Sequence, residues 1–294
     1  MEEITALIDK KGDELEEQRF QLLQEIATGL SSDEAFPTSF DFLIKLRKAL
    51  QDPEISIDRI VTLINLEPLI PLHLVRLANS AYYRRGDEVK DAKAAIQRLG
   101  LQRVRATAAA IAMQQLIHSR KMVVFADICE RLWHHSLDAS CAAYVLSRRM
   151  TRLNPDEAML AGLVHDIGVF YLLYHFSLIE ELHTRPVSAM YLAERWHASI
   201  GHALLSRMGI PEEIAIACLE HDVQRIVPIP PANMSDVVYI SNRLAGGLTS
   251  WFTEPLENAE ENDREVEFYR ASLEELHDEI AEYRESMLQA FADV

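Results

Sequence analysis

Apolar residues recur along most of this chain in steps of three and four positions, which is the period of an amphipathic α-helix. The pattern is clear in residues 3–29, where leucines and isoleucines share one side, and again from Val266 to Ala290. Alternation of β-branched and polar residues, which would indicate strands, is rare. Only 10 of the 294 residues are glycine. The pattern predicts an all-α fold.

Prolines and capping residues divide the pattern into separate helices. Prolines in the first third predict a series of short helices, and residues 227–231 contain three prolines that a helix cannot accommodate. Residues 154–157, Asn-Pro-Asp-Glu, carry an N-cap, a proline at the first helical position and acids in the first turn. The apolar helix that starts there ends near His165 and Asp166, and we expect Gly168 to loosen the backbone just after them.

The adjacent His165 and Asp166 are the first candidates for chemistry. Neutral imidazole and carboxylate are suitable ligands for zinc and for other first-row metals. Two neighbouring residues can hold an ion only if further ligands come from distant parts of the chain. In a sequence with 11 histidines such a pair can also arise by chance, so the pair alone does not establish a metal site.

Composition and charge narrow the functional classes. The net charge of −17 disfavours binding to nucleic acid, which depends on neutralising phosphates. The basic stretch 76–121 is interpreted as solvated arginines on helix faces, with a local patch for an acidic partner as the alternative. No apolar run approaches the roughly 20 residues that cross a bilayer, and the start lacks a signal-peptide pattern. Three dispersed cysteines are typical of a reducing compartment. We expect a cytoplasmic protein that does not bind membranes.

The C-terminal segment is regular and strongly acidic. Between Glu254 and Glu285 there are 13 acids and 3 arginines, and the apolar stripe from Val266 to Ala290 follows a heptad spacing. We expect this stripe to pack on the protein's own body together with the opening helix, which favours a monomer. The alternative is a seam for a dimer or a partner helix.

Several motifs appear in an order that resembles a known family. In the first half these are Ala35-Phe36-Pro37-Thr38, Asp52-Pro53-Glu54-Ile55-Ser56, Leu-Ala-Asn-Ser-Ala-Tyr-Tyr at 77–83 and Ala-Ile-Gln-Arg-Leu-Gly at 95–100. In the second half they are Leu-Trp-His-His-Ser at 132–136, the doublet at 165–168, His-Ala-Ser-Ile-Gly at 197–201 and Glu-His-Asp at 220–222. Together they resemble the HDOD domain, a bacterial signalling-output domain of the HD phosphohydrolase superfamily.

The resemblance covers about residues 35 to 250 and implies an architecture. It implies an HD-domain-like helical bundle with an N-terminal helical subdomain. We accordingly divide the chain into an N-terminal helical extension (1–35), an N-terminal lobe (36–125), an HD-like lobe (126–250) and an acidic C-terminal helix (251–294).

The resemblance also implies a set of metal ligands. His135 matches the first ligand position, and His165 with Asp166 matches the doublet. His197 and His221 match the extra histidines of two-metal relatives. Each histidine could instead be a hydrogen-bonded core residue, and helix geometry allows only one of His134 and His135 to point inward. The ion implied is a divalent transition metal, namely Fe, Mn, Zn or Ni.

The chain departs from the family's catalytic pattern at three positions. Asn242 stands where the distal aspartate of the metal shell is expected, and an amide binds a hard cation less well than a carboxylate does. Val169 replaces the lysine, and Asp222 the second histidine, of relatives that cleave cyclic dinucleotides. Asp222 could serve as an oxygen ligand, and an Asn242→Asp change is expected to tighten metal binding. We assign no catalytic and no cofactor-binding residue.

These departures favour a signalling-output module that is not catalytic, or only weakly so. It would bind a metal, a nucleotide or a signalling protein in its histidine-rich pocket. One alternative is a metal-dependent phosphohydrolase that acts on a nucleotide or cyclic dinucleotide. A further alternative is an adaptor whose acidic tail is the active part.

Overall fold

A computed structural model describes residues 20, 24, 26, 28, 41–52, 54–179, 182, 186–247 and 259–291. The described residues form helices and connecting turns and contain no strand, so the predicted all-α class is confirmed. The predicted opening helix falls largely outside the described residues. Of that segment, the structure places Phe20 on the surface and Ile26 in the core.

The first part of the chain is a set of short helices. They are α1 (Asp41–Leu50), α2 (Ile57–Ile64), α3 (Leu69–Asn79), α4 (Ala92–Leu99) and α5 (Leu101–Ile117). Two of them begin at side-chain caps: the Ser56 hydroxyl accepts the N–H of Arg59, and the Asp91 carboxylate accepts that of Ala94. These caps fix where α2 and α4 begin.

The second part carries the histidines, and an acidic tail follows it. After a 3₁₀ turn (Arg120–Phe125) come α6 (Ala126–Met150), α7 (Pro155–Val164), α8 (Ile167–Phe176), α9 (Pro186–Arg207), α10 (Glu212–Glu220) and α11 (Met234–Leu244). The tail contains α12 (Ala259–Ser272), a 3₁₀ turn (Glu274–Leu276) and α13 (His277–Phe291). The long helix α6 packs against α7, α11 and α13.

One contiguous core of buried side chains runs through α1 to α13. The stretch Pro155–Phe176, which is α7 and α8 in succession, is apolar and long enough to resemble a membrane span, but 89% of the window that gives this signal is buried within the protein. It is therefore packed as a core element. The predicted division into 1–35, 36–125, 126–250 and 251–294 stays a prediction.

The predicted start and end of α7 are confirmed. The Asn154 side chain accepts the N–H of Asp156, and Pro155 occupies the first helical position. The helix ends at Val164, so His165 and Asp166 form the two-residue junction between α7 and α8. The doublet is thus held between two buried helices.

The expected role of Gly168 is wrong. It lies within α8, is not among the glycines with positive φ, and so does not loosen the chain. A Cβ atom at this position would lie 2.0 Å from the backbone oxygen of His197 and 2.7 Å from the nitrogen of Gly201. Glycine is needed because α8 and α9 pack with their backbones almost in contact, and this sets His197 close to the doublet.

A Gly168→Ala change should therefore separate α8 from α9. We expect the free energy of unfolding to fall by about 1–3 kcal/mol or more, because the atoms that a methyl group would meet are backbone atoms that cannot rotate away. Thermal unfolding followed by circular dichroism measures this. Gly86→Ala is the reference for backbone strain alone, because Gly86 has a φ of 77° but a Cβ there meets nothing within 4 Å; it should cost about 1–2 kcal/mol. Equal melting temperatures for the two variants would contradict the interpretation.

The acidic tail packs on the protein's own body, as expected; its expected contact with the opening helix falls largely outside the described residues. Its buried apolar and aromatic residues are Val266, Tyr269, Leu273, Leu276, Tyr283, Met287, Ala290 and Phe291, and Ile280 is half-buried. The stripe is not one continuous helix, however, because the 3₁₀ turn at Glu274–Leu276 separates α12 from α13. The apolar spacing continues through this turn, which is why the sequence does not reveal it.

Tyr283 of α13 fills the space around a buried arginine. Arg103 is 1% exposed, and its guanidinium contacts the Tyr283 hydroxyl and the Asp156 carboxylate. It also lies over the rings of Tyr83 and Tyr144, at 5.0 and 4.7 Å from their centroids. The interpretation of residues 76–121 as solvated arginines is therefore wrong for Arg103, which joins α5, α7 and the tail.

Candidate metal centre

The structure brings all five predicted ligand residues together in one buried centre. His135 comes from α6, the doublet from the α7–α8 junction, His197 from α9 and His221 from the residue after α10. Each is at most 3% exposed. The neighbouring His134 is exposed, so only one histidine of that pair points inward. The predicted convergence is confirmed, and the role of these residues as metal ligands stays a prediction.

Asp166 lies at the middle of the centre and divides it into two halves. Its Oδ2 atom is 3.2 Å from Nε2 of His165 and 3.4 Å from Nε2 of His135. Its Oδ1 atom is 3.1 Å from Nε2 of His221 and 3.7 Å from Nε2 of His197. Oδ2 of this carboxylate therefore faces one pair of imidazoles, and Oδ1 faces the other pair.

The spacing within each pair suits a shared ion. The Nε2 atoms of His135 and His165 are 3.0 Å apart, and those of His197 and His221 are 3.2 Å apart. Two nitrogens that bind one ion at about 2.1 Å are separated by about 3.0–3.4 Å, depending on the coordination angle. The observed separations fall in that range.

Backbone carbonyls fix the orientation of all four imidazoles. In each histidine it is Nδ1 that meets a carbonyl oxygen, which can only accept, so Nδ1 carries the proton. The bonds are His135 to Ala245 at 3.3 Å, His165 to Gly162 at 2.7 Å, His197 to Glu194 at 2.8 Å and His221 to Cys218 at 2.6 Å. The Nε2 atoms are thereby directed into the centre, which is the arrangement of metal-binding histidines.

Asp222 belongs to the centre although it is not among the five predicted ligands. Its Oδ2 atom lies 3.0 Å from Nε2 of both His197 and His221. Asn242 donates from Nδ2 to the other oxygen at 2.9 Å, and Arg243 lies 3.8 Å from that same oxygen. In the sequence the residue stood out as a departure from a histidine and as a residue that could serve as an oxygen ligand. Its position beside His221 was the available signal.

The electrostatics of the centre are those of coupled acids and bases. Burial, together with the charge of His165, lowers the pKa of His135 to about 4, so His135 is neutral near pH 7. Burial also lowers the pKa of His221, but the carboxylates of Asp222 and Asp166 outweigh it and raise the pKa to about 10. Although burial favours their neutral forms, both carboxylates have a pKa well below the usual range because of the neighbouring histidines.

The donor set fits a divalent transition metal. Imidazole nitrogens and carboxylate oxygens are the ligands of zinc, manganese, iron and nickel. The Asn242 side-chain oxygen is buried and has no hydrogen-bond partner among the described residues. Such an orphaned acceptor is rare in protein interiors and indicates a missing ion or water. Two buried carboxylates lie beside these histidines, and a bound cation would likewise compensate their negative charge.

The centre opens to the surface on one side. A cavity of about 340 Å³, called the mouth below, is lined by Tyr191, Glu194, Arg195, His197, Ala198, Leu219, Asp222 and Val223. Because His197 and Asp222 belong both to the mouth and to the centre, a ligand in this cavity would reach the half of the centre that contains His221. Tyr191, Leu219 and Val223 give the mouth apolar walls.

The remaining departures from the family's catalytic pattern have clear structural positions. Val169 is fully buried in α8, so no cation reaches the centre from that position. Asn242 is 1% exposed and lies one hydrogen bond from Asp222. The expectation that Asn242→Asp tightens metal binding stays a prediction. The structure places Asn242 next to the centre, but its Nδ2 donates to Asp222, so the substitution would lose this bond and set two carboxylates side by side.

Comparison with known proteins identifies a family match and a shared fold. The family model for the HDOD domain matches residues 36–223. A solved structure from Shewanella amazonensis, provisionally named a metal-dependent phosphohydrolase, superposes with a TM-score of 0.70 at 23% identity, covering 93% of this chain and 99% of that one. An HDOD domain protein of unknown function from Geobacter sulfurreducens gives a TM-score of 0.62 at 22% identity, covering 94% and 99%.

Among curated sequences, an uncharacterized protein of Treponema pallidum is 25% identical over 229 residues, which is 72% of this chain. The match covers 42% of the Treponema protein, so the chain spans less than half the length of this relative. At these identities the similarity establishes the fold and leaves the chemistry to be argued from the centre itself.

Proposed function

The chain belongs to the HDOD family, and from that premise we propose that it is a signalling-output module that binds a divalent transition metal in its histidine centre and is not a catalyst. The observation that carries the proposal is the orientation of four buried imidazoles, each with Nδ1 bonded to a carbonyl and Nε2 directed at Asp166 or Asp222. Carbonyl bonds of this kind orient metal ligands in advance.

The surroundings of the centre support binding more than hydrolysis. A bound divalent ion supplies Lewis acidity and lowers the pKa of a coordinated water. Phosphoryl transfer also needs groups that stabilise the charge on the phosphate oxygens. Arg243 is engaged with Asp222 and, through Nε at 3.0 Å, with Glu265. Val169 provides no charge, and Asn242 provides no carboxylate.

A helix connects the centre with the acidic tail. The C-terminal end of α7 leads directly into the doublet, while Asp156 and Met159 in its first half contact Arg103, and Met159 also accepts a hydrogen bond from Tyr283. A change in the position of the doublet therefore has a direct route to α13. We infer that ligand binding at the centre is transmitted to partners through this path, as a shift between two helix packings.

The proposal is tested on full-length protein that has been stripped of metal with a chelator. Added Mn²⁺ or Zn²⁺ should bind and raise the melting temperature, because an ion present at 100 times its Kd stabilises the folded state by about 2.7 kcal/mol. Elemental analysis after gel filtration measures the ion retained. Absence of binding by every transition metal tried would reject the proposal.

The competing function is a metal-dependent phosphohydrolase, and the mouth is the observation that favours it. A phosphoester in that cavity would reach His197 and Asp222. Turnover of a nucleotide, a cyclic dinucleotide or bis(p-nitrophenyl) phosphate is measured with Mn²⁺ or Fe²⁺ present. We expect no multiple turnover above the free-metal control. Turnover that is abolished by Asp166→Asn would establish the enzyme instead.

A prediction about ligand charge follows from the mouth. Arg195 is exposed and carries the only permanent positive charge among the described residues that line it. If the module binds a nucleotide, Arg195→Glu should weaken that binding about tenfold or more, since the change replaces attraction to phosphate by repulsion. Metal content should not change. Titration with AMP and GMP measures the affinity, and Arg120→Glu, on the exposed turn before α6, is the control. Equal effects of both variants would contradict a role for the mouth.

A further inference from the structure

The two halves of the centre differ in the number of ligand atoms they offer. The first half, on the Oδ2 side of Asp166, contains His135 and His165. The second half, on the Oδ1 side, contains His197 and His221 and, in addition, Oδ2 of Asp222. The first half therefore offers three ligand atoms and the second half four.

We propose that this chain holds one tightly bound divalent ion, that the ion lies in the second half, and that Asp222 is one of its ligands. The inference rests on the proposed function in assuming that the centre binds metal at all. It goes further because it places the ion beside His197 and His221. The family pattern, with its doublet and distal aspartate, would place the ion beside His135 and His165.

Among the described residues, the first half contains no second carboxylate. Asn242, where the distal aspartate is expected, presents its amide nitrogen to Oδ1 of Asp222 at 2.9 Å and to the backbone oxygen of His221 at 3.4 Å. Both neighbours are acceptors, so the nitrogen is correctly placed on that side of the amide. A side chain engaged in this way contributes no negative charge to an ion held by His135 and His165.

The second half contains an additional carboxylate, whereas an amide stands where the first half is expected to have one. Asp222 is held by Asn242 on one oxygen, with Arg243 3.8 Å from that oxygen, and this leaves the other oxygen 3.0 Å from both imidazoles. An ion here meets two imidazoles and the carboxylates of Asp166 and Asp222. The two carboxylates together neutralise a divalent charge. Four ligands of these types make a complete tetrahedral shell for zinc.

Asn242 is then a positioning residue. Its hydrogen bond fixes which oxygen of Asp222 faces the histidines, as outer-shell partners do for metal-binding carboxylates. In this chain a carboxylate stands directly after His221, and an amide stands in α11 where a carboxylate is expected. That amide holds the Asp222 carboxylate in place. Asp222 and Asn242 are therefore expected to act as a unit.

Metal binding by matched variants tests the assignment. His135→Gln and His221→Gln form the matched pair, since both histidines are buried and both bond a carbonyl through Nδ1. Metal-free protein is titrated calorimetrically with Zn²⁺ and with Mn²⁺, and ions retained after gel filtration are counted. The wild type should retain one equivalent. We expect His135→Gln to keep its affinity within about threefold, and His221→Gln and Asp222→Asn to lose 100-fold or more.

Two further measurements test the assignment if one of these variants does not fold. Asn242→Ala keeps every ligand and should weaken the tight ion by about 10–100-fold, the usual effect of losing an outer-shell partner. The visible spectrum of bound Co²⁺, which reports its ligands, should be the same in the wild type and His135→Gln and should change in Asp222→Asn. A purely structural role of Asp222 would leave that spectrum unaltered.

The outcomes separate this inference from the function on which it rests. Wild-type protein that binds no ion would reject both. Binding of two ions of equal affinity, loss of the tight ion in His135→Gln but not in His221→Gln, or an unchanged affinity in Asp222→Asn would reject the assignment and leave the metal-binding function in place.

Discussion

Truncation of the chain after Glu254 is expected to lower the free energy of unfolding by several kcal/mol without changing the oligomeric state. The tail buries eight apolar or aromatic side chains from Val266 to Phe291 against the rest of the core. A fully buried Val, Leu, Met or Phe side chain is worth roughly 1.5–3 kcal/mol. This is an upper estimate, but it is of the same order as the roughly 5–15 kcal/mol that stabilises a typical domain. Thermal unfolding with light scattering measures both quantities.

One side chain should account for a substantial share of this effect. Tyr283 is fully buried, stacks on Tyr144 at a centroid distance of 4.4 Å, and contacts the Arg103 guanidinium through its hydroxyl. Tyr283→Ala should cost about 3–5 kcal/mol, as other large aromatic-to-alanine changes in cores do. Tyr283→Phe retains the ring, so it should cost only about 1–3 kcal/mol for the lost contact of a buried charged group.

A control on the same tail separates burial from general effects of substitution. Phe268 in α12 is 57% exposed, and Phe268→Ala should change the melting temperature little. If the truncated protein instead melted like the full chain and changed from dimer to monomer, the stripe would be an association seam. The burial of Tyr283 against α5 and α6 argues against that result, because a dimer seam would leave those side chains on the surface of one chain.

Local signals in the sequence were sufficient for much of the fold. The cap at Asn154 and the proline after it locate α7 because they act within one helical turn. The apolar stripe of the tail identifies its buried face for the same reason, since the period of a helix is a local property. The 3₁₀ turn at Glu274–Leu276 escapes this reasoning, because it preserves the spacing of the apolar residues on either side.

Features that depend on distant contacts could not be predicted. The charge of Arg103 indicates a solvated position, and only the tyrosines and Asp156 from other helices make its burial possible. Gly168 resembles a flexible joint until α9 is placed against it. Tertiary contacts of this kind override the local preference of a residue.

In the candidate centre, too, local motifs could be recognised in the sequence, and contacts between distant residues could not. The resemblance to a family located five residues because their motifs are short and separately recognisable. It offered Asp222 only as a residue that could serve as an oxygen ligand and did not include it among the five. The hydrogen bond from Asn242, 20 residues further on, is a contact between distant residues that no motif reveals.

Asp166→Asn is expected to abolish tight binding of every divalent transition metal. The two oxygens of Asp166 face the two halves of the centre, with Oδ2 3.2 Å from His165 and Oδ1 3.1 Å from His221. The substitution keeps the shape but removes the single negative charge that the two halves share, and it directs an N–H group at an imidazole that should bind the ion. Calorimetric titration with Mn²⁺ and Zn²⁺ should show an affinity at least 100-fold weaker than that of the wild type.

The comparison with a second aspartate makes this loss specific. Asp138 is partly exposed and pairs with Arg284 of α13, so Asp138→Asn removes the same charge without touching the centre and should leave metal affinity unchanged. Far-UV circular dichroism should show both variants to be helical. The rise in melting temperature on adding metal should persist in Asp138→Asn and vanish in Asp166→Asn. If the ion were retained in Asp166→Asn, it would be held by residues elsewhere, because neither half of the centre can complete its ligands without this carboxylate.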